Sequence, residues 1–330
     1  MIRRSAAIVA AALVVAASSG TAGAATVRSS LQTWQTTVFA LGPNDSYVAE
    51  WNGPGLGWTE IGGPANQLYV GSAGVFATDP STGDISQYNG TPGSWTVIGG
   101  PGWTFAQSGG HLFGVGPYTN YIAEWNGASG GWTIIYSGSV GSVTDLEGGG
   151  EGLVATIGPS GPDTYMYNGT PGSWTQISGS DVAFDHQLMA VDDGGVYVLN
   201  AAGQVEQWAG YGESWTVLGS GYKSLFVGGT SGNVYAAATG SGNLQQYTGT
   251  PGSWTTVGGP GYMFAVSRST LYGLAPDRSY VAEYTPGAGC GATPGWLMFT
   301  ESISCSVRFA NAPAAFWYSG FWYVEVRVPG

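Results

Sequence analysis

The chain has 330 residues, 8 Lys and Arg against 20 Asp and Glu, and a formal net charge of −12. Such an acidic surface repels nucleic acid and anionic lipid, which both need a basic patch to displace their counterions. Only 8% of residues are charged while 13% are aromatic and 58 are Gly, with no three-residue period. That composition excludes collagen and disorder and indicates short strands joined by tight turns.

In chain order, Arg3 and Arg4 precede an apolar run from Ala6 to Ala17, and Ala22-Gly23-Ala24 supplies the small-x-small pattern cut by signal peptidase. Residues 1–24 are expected to be a signal peptide cleaved near Ala24, giving a secreted protein. No segment approaches the roughly 20 apolar residues of a membrane helix, so no membrane insertion is expected. Loss of Arg3 and Arg4 leaves six basic residues against 20 acidic ones, a formal charge of −14.

Residues 25–300 carry a tandem repeat. One segment type recurs seven times, starting at Val38, Val75, Leu112, Leu153, Val196, Val234 and Leu271, at intervals of 37, 37, 41, 43, 38 and 37 residues. Six copies lead to a Trp-Thr pair, at Trp58, Trp95, Trp132, Trp174, Trp215 and Trp254, and Trp296 holds that place in the seventh. Each unit contains four apolar runs between Gly, Pro, Asn and Asp breakers, and none has the length or period of a helix.

The stretch "YNGTPGSW" occurs at Tyr88–Trp95 and Tyr167–Trp174, with "YTGTPGSW" at Tyr247–Trp254. Asn-Gly accepts the positive φ of a tight turn, Pro-Gly adds a second bend, and Trp opens the next strand. The stretch is therefore the connection from third to fourth strand. Four antiparallel strands per unit define an all-β protein, a β-propeller of four-stranded blades, seven by repeat count with six as the alternative. The first blade is expected to draw its first strand from Ser29–Thr37. Residues 301–330, with "AFWYSGFWYVEVR", read as divergent strands that pack on or close the propeller. In an exported protein, Cys290 and Cys305 read as one disulfide.

Aligned third strands place an aromatic residue at Trp51, Tyr88, Trp125, Tyr167, Trp208, Tyr247 and Tyr284, preceded by Glu50, Gln87, Glu124, Met166, Gln207, Gln246 and Glu283. Strand side chains alternate, so the aromatic and the acid or amide face opposite ways. One reading makes the aromatics filler between blades. The other makes them saccharide platforms, because a sugar offers an apolar C–H face to the ring and hydroxyls to carboxylates and amides. The candidate ligand residues are these aromatic and Glu/Gln pairs in six units, with Met166 and Tyr167 set aside. The Trp-Thr tryptophans read as structural anchors.

Catalytic signals are thin. His111 and His186 stand in unrelated contexts without zinc-ligand spacing. Asp145, Glu147 and Glu151 read as a solvated glycine-rich loop. "DPSTGD" at Asp79–Asp84 and "DDGG" at Asp192–Gly195 fall short of a calcium loop's ligand count. No metal, cofactor or catalysis is expected, and a monomer is.

The order Trp95-Thr96-Val97-Ile98-Gly99-Gly100-Pro101, then Leu112-Phe113-Gly114-Val115, then Tyr121 to Trp125 resembles the tectonin and tachylectin-type lectin propellers, over about Ser29 to Thr300. The resemblance implies a non-catalytic protein that binds carbohydrate or glycoconjugate at sites repeated between blades. "ATDPSTGDISQY" is also similar to the tryptophan motif of quinone-dependent dehydrogenase propellers, in one unit and with Tyr88 in place of Trp. A lectin predicts that the acid, amide and aromatic positions line open grooves between blades. A protein-interaction or cell-envelope scaffold predicts buried aromatics and one exposed apolar patch, and an enzyme predicts a carboxylate cluster found in one unit alone.

Overall fold

The computed structural model describes residues 13–17, 36–42, 45–52, 57–127, 130–158, 163–178, 188–192, 194–228, 233–267, 270–274, 276, 281–285, 295–298 and 323–326. These residues hold 29 strands. The first unit has β1 (Leu13–Ala17), β2 (Thr36–Leu41), β3 (Val48–Trp51) and β4 (Trp58–Gly62). The second has β5 (Gln67–Gly71), β6 (Gly74–Thr78), β7 (Asp84–Tyr88) and β8 (Trp95–Pro101). The third has β9 (Thr104–Ser108), β10 (His111–Val115), β11 (Tyr121–Trp125) and β12 (Trp132–Ser137). The fourth has β13 (Val143–Gly148), β14 (Leu153–Ile157), β15 (Asp163–Tyr167) and β16 (Trp174–Ser178). The fifth has β17 (Leu188–Asp192), β18 (Gly195–Leu199), β19 (Gln204–Trp208) and β20 (Trp215–Ser220). The sixth has β21 (Tyr222–Gly228), β22 (Asn233–Ala238), β23 (Leu244–Tyr247) and β24 (Trp254–Gly258). The seventh has β25 (Met263–Ser267), β26 (Thr270–Leu274), β27 (Val281–Thr285) and β28 (Gly295–Met298), and β29 (Tyr323–Val326) follows.

The second to sixth units each form a separate four-stranded antiparallel sheet, while the first and seventh share one nine-stranded sheet bridged by β1. Six sheets thus carry seven units. The first strands β1, β5, β9, β13, β17, β21 and β25 each lie beside the next, and β25 returns to β1. A ring of twisted antiparallel sheets around its first strands is a β-propeller.

Second strands are buried on both faces, as Val75 to Thr78, Val196 to Leu199 and Val234 to Ala237 show. That is why they read as unbroken apolar runs rather than alternating ones. Fourth strands face solvent, and Val97, Ile134 and Val217 stand exposed on them. The third-to-fourth turn is as expected from "YNGTPGSW". Gly90 and Gly93 have φ of 81° and 78°, and the Asn89 amide donates to Ser94 Oγ and Thr96 Oγ1, both at 3.0 Å.

The first unit differs from expectation. Thr36 and Thr37 belong to β2 rather than to a first strand. The inner edge of β2 is taken by β1, at Thr36 to Val38, and by β29, at Val38 to Leu41. The inner position of a blade favours an apolar run, which Leu13–Ala17 supplies. Residues 18–35 lie outside the described residues, as do Cys290, Cys305 and His186.

Candidate functional site

The Trp-Thr tryptophans are anchors, as expected. Nε1 of Trp95, Trp132, Trp174, Trp215 and Trp254 donates to the backbone carbonyl of Ile61, Ile98, Ile135, Ile177 and Leu218 respectively, each on the fourth strand of the preceding unit. Register sets Trp58, Trp95, Trp132, Trp174, Trp215 and Trp254 opposite the third-strand aromatics of their own units. Ring centroids lie 5.3 Å apart for Trp51–Trp58, 5.2 Å for Tyr88–Trp95, 5.0 Å for Tyr167–Trp174 and 5.3 Å for Tyr247–Trp254.

The opposite faces of the third strands carry the acids and amides. Register sets Glu50 beside Phe39, Gln87 beside Phe76, Glu124 beside Phe113, Gln207 beside Tyr197, Gln246 beside Tyr235 and Glu283 beside Tyr272. These second-strand aromatics meet the third-strand aromatics of the next unit, edge to face at 5.7 Å for Phe76–Trp125 and 6.1 Å for Phe113–Tyr167. In the first three units the acid or amide therefore lies toward the aromatic of the following unit: Glu50 toward Tyr88, Gln87 toward Trp125 and Glu124 toward Tyr167. Burial, and after it the Glu50 carboxylate, raises the pKa of the Tyr88 hydroxyl; burial and then Glu124 do the same to Tyr167.

Most of these side chains are half-buried, and Trp51 is the buried exception, 8% exposed. Several polar ends are already engaged. His111 Nδ1 lies 2.7 Å from Glu124 Oε1. Gln207 Nε2 donates to the Gly194 carbonyl and Tyr197 hydroxyl, both at 3.2 Å, and Gln246 Nε2 donates to Asn233 Oδ1. Trp208 Nε1 donates to Gly212 O within its own turn. Glu283 and Tyr284 sit on β27 at the matching register, with Tyr284 opposite Trp296.

A second feature occupies the other end of the third and fourth units. Trp103, Pro117 to Thr119, Val140, Gly141, Val143 and Thr144 line an open cleft of about 480 Å³. Trp103 is 59% exposed, Tyr118 70% and Val140 71%, and no lining residue is charged. Thr119 adopts φ of 51°, a left-handed conformation that costs a β-branched residue about 1–3 kcal/mol. Hydrogen bonds hold it there: Val143 N donates to Thr119 O at 2.8 Å and Gly141 N to Tyr118 O at 3.1 Å. Sequence reasoning missed this cleft, though a signal existed. Trp132 to Gly148 spans 16 positions where Trp95 to Gln107, its counterpart, spans 12, and the surplus builds the cleft wall between β12 and β13.

Asp145 and Glu147 also depart from expectation. They lie not in a solvated loop but on the inner strand β13, two residues apart and on one face. Register places Glu147 where other units hold Tyr69, Ala106, Ala190 and Phe226. Burial pushes the Asp145 carboxyl up to about 6, and burial with the Asp145 charge raises Glu147 well above the usual carboxylate range. The calcium candidates are turn caps. Asp79 Oδ1 accepts from the N–H groups of Ser81 and Thr82, and Asp192 Oδ1 from that of Gly194.

No protein-family model matches the chain, and no characterised protein matches it by sequence. Solved structures do match. Apo AztD from Citrobacter koseri superposes with a TM-score of 0.54 at 12% identity, over 79% of this chain and 94% of that one. YCF48 bound to D1 peptide gives 0.50 at 15%, over 74% and 85%. The GH74 enzyme of Niastella koreensis gives 0.51 at 16%, over 74% of this chain, which spans 42% of that larger one. At such identities the likeness carries the fold alone, and that fold is the β-propeller.

Proposed function

We propose that this chain is a secreted, non-catalytic propeller that binds neutral carbohydrate at repeated sites between blades, in the manner of the tectonin and tachylectin-type lectins it resembles. The observation that carries the reading is the cross-blade pairing. An acid or amide on one unit faces an aromatic ring on the next, as Glu50 faces Tyr88 and Glu124 faces Tyr167. A ring for the apolar face of a sugar beside acceptors for its hydroxyls is what a neutral glycan needs, and repetition multiplies weak affinities. Asp145 and Glu147 occur in one unit alone, on its inner strand, and the repeated-site reading gives them no part in binding.

A second reading, a protein-interaction propeller, rests on the uncharged cleft at Trp103, Tyr118 and Val140, an exposed apolar patch of the kind that partners cover. YCF48, of similar fold, holds a D1 peptide.

The test is a glycan array probed with the secreted protein and with a variant carrying Glu50→Ala, Glu124→Ala and Glu283→Ala. Selective binding lost by the triple variant supports the repeated sites. Binding that survives moves the sites elsewhere on a lectin. Silence from folded protein shifts the assignment to the interaction reading.

A further inference from the structure

Two strands share one edge of the first unit. β1 pairs antiparallel with β2 at Ala17↔Thr36, Ala16↔Thr37 and Val15↔Val38. β29 pairs antiparallel with the same edge at Val38↔Val326, Phe39↔Glu325, Ala40↔Val324 and Leu41↔Tyr323. The two meet at Val38, and β3 holds the opposite edge of β2. β1 also pairs in parallel with β25, at Leu13↔Ala265 and Val14↔Val266, so it joins the last unit to the first.

β1 lies wholly within residues 1–24, the segment expected to be removed on export. Its loss exposes the backbone donors and acceptors of the first unit's inner edge, and an unpaired edge is both costly and open to pairing with other chains. The C-terminal strand is already seated on that edge. We propose that β29 is the strand that closes the ring in the processed protein, taking over an edge that the leader strand shares with it before cleavage. The leader strand and then the C-terminal strand would hold the first unit's inner edge, which is complete only after residues 323–326 have been made. The handover and the closure rest on the export reading, whereas the seating of β29 on β2 rests on register alone.

Directly paired residues of an antiparallel ladder have Cα atoms about 4.5–5.5 Å apart, within reach of a disulfide. Ala40→Cys with Val324→Cys should therefore cross-link under mild air oxidation in the secreted protein, identified by peptide mass mapping apart from Cys290 and Cys305. Val15→Cys with Val38→Cys should cross-link in the unprocessed chain from cells blocked in export. Val324→Pro, which removes a backbone donor, should speed hydrogen exchange of the β2 amides in the secreted protein by at least roughly tenfold. Folded secreted protein that leaves positions 40 and 324 unlinked, or whose β2 exchange ignores Val324→Pro, overturns closure by β29. An intact mass showing residues 13–17 retained in the secreted protein overturns the handover and the closure, while the cross-link still reads the seating of β29 on β2.

Discussion

Trp95 and Ile61 mark how one blade is fixed to the next. The indole Nε1 of Trp95 donates to the Ile61 carbonyl at 2.7 Å, and the backbone N–H of Gly93 donates to the same oxygen at 2.8 Å. Trp174 with Gly172 repeats this at Ile135, and Trp254 with Gly252 at Leu218. The thrice-written turn is thus a two-pronged clamp between units. Trp95→Phe keeps the ring's packing and loses one donor, with the Gly93 bond still satisfying the acceptor. A loss of about 1 kcal/mol is expected by chemical denaturation, against about 3–5 kcal/mol for Trp95→Ala.

The clamp also explains particular glycines. A Cβ on Gly219 would stand 2.4 Å from Trp254 Nε1, and one on Gly99 2.9 Å from Trp132 Nε1. Gly219→Ala should therefore cost about 1–3 kcal/mol by displacing the indole. Gly63→Ala meets nothing within 4 Å and should leave the denaturation midpoint unchanged. Equal effects at the two positions would remove the clamp as the cause.

The repeat was legible because each unit must solve one packing problem with the same residues: a turn rich in glycine, an indole that reaches back, and a second strand apolar throughout. Propeller fold, strand order and the anchor role of the Trp-Thr tryptophans follow from that period. What escaped were features that occur once. The cleft depends on four surplus residues whose fold a repeat comparison cannot supply. Asp145 and Glu147 were hidden by the glycines around them, which suggest a loop although Val143 and Leu146 are buried strand residues. A strand within residues 301–330 was legible in its aromatic run, whereas the pairing of β1 with the same edge of β2 was not, because no local pattern reports it.

The two functional readings separate by mutation. Trp103 and Tyr118 are exposed, so Trp103→Ala and Tyr118→Ala should change stability by no more than about 0.5 kcal/mol. With repeated inter-blade sites they leave glycan affinity intact, while Glu124→Ala lowers it. With the cleft as the working surface the pattern inverts, and captured partner, not glycan, is lost from the Trp103 and Tyr118 variants. Titration calorimetry against the best array glycan reads the first case, and pull-down of the second partner class reads the other.

Stability should fall as pH rises. The Asp145 carboxyl, ordinarily near 3.8, titrates at about 6 in the folded chain, and Glu147 higher than its usual value. Between those ranges the folded state binds more protons than the unfolded one, so the stability these protonated groups contribute is complete below the unfolded values and is lost through the folded ones. Burial raises Asp45, Glu50 and Glu206 in the same sense, while turn N–H groups hold Asp79 low and oppose it. The thermal midpoint should therefore be higher near pH 4.5 than near pH 7.5. Asp145→Asn with Glu147→Gln, which cannot ionise, should raise the midpoint at pH 7.5 and flatten the profile. An unchanged slope in that double variant would show that the inner-strand carboxyls are ionised and solvated, and that the pH dependence has another source.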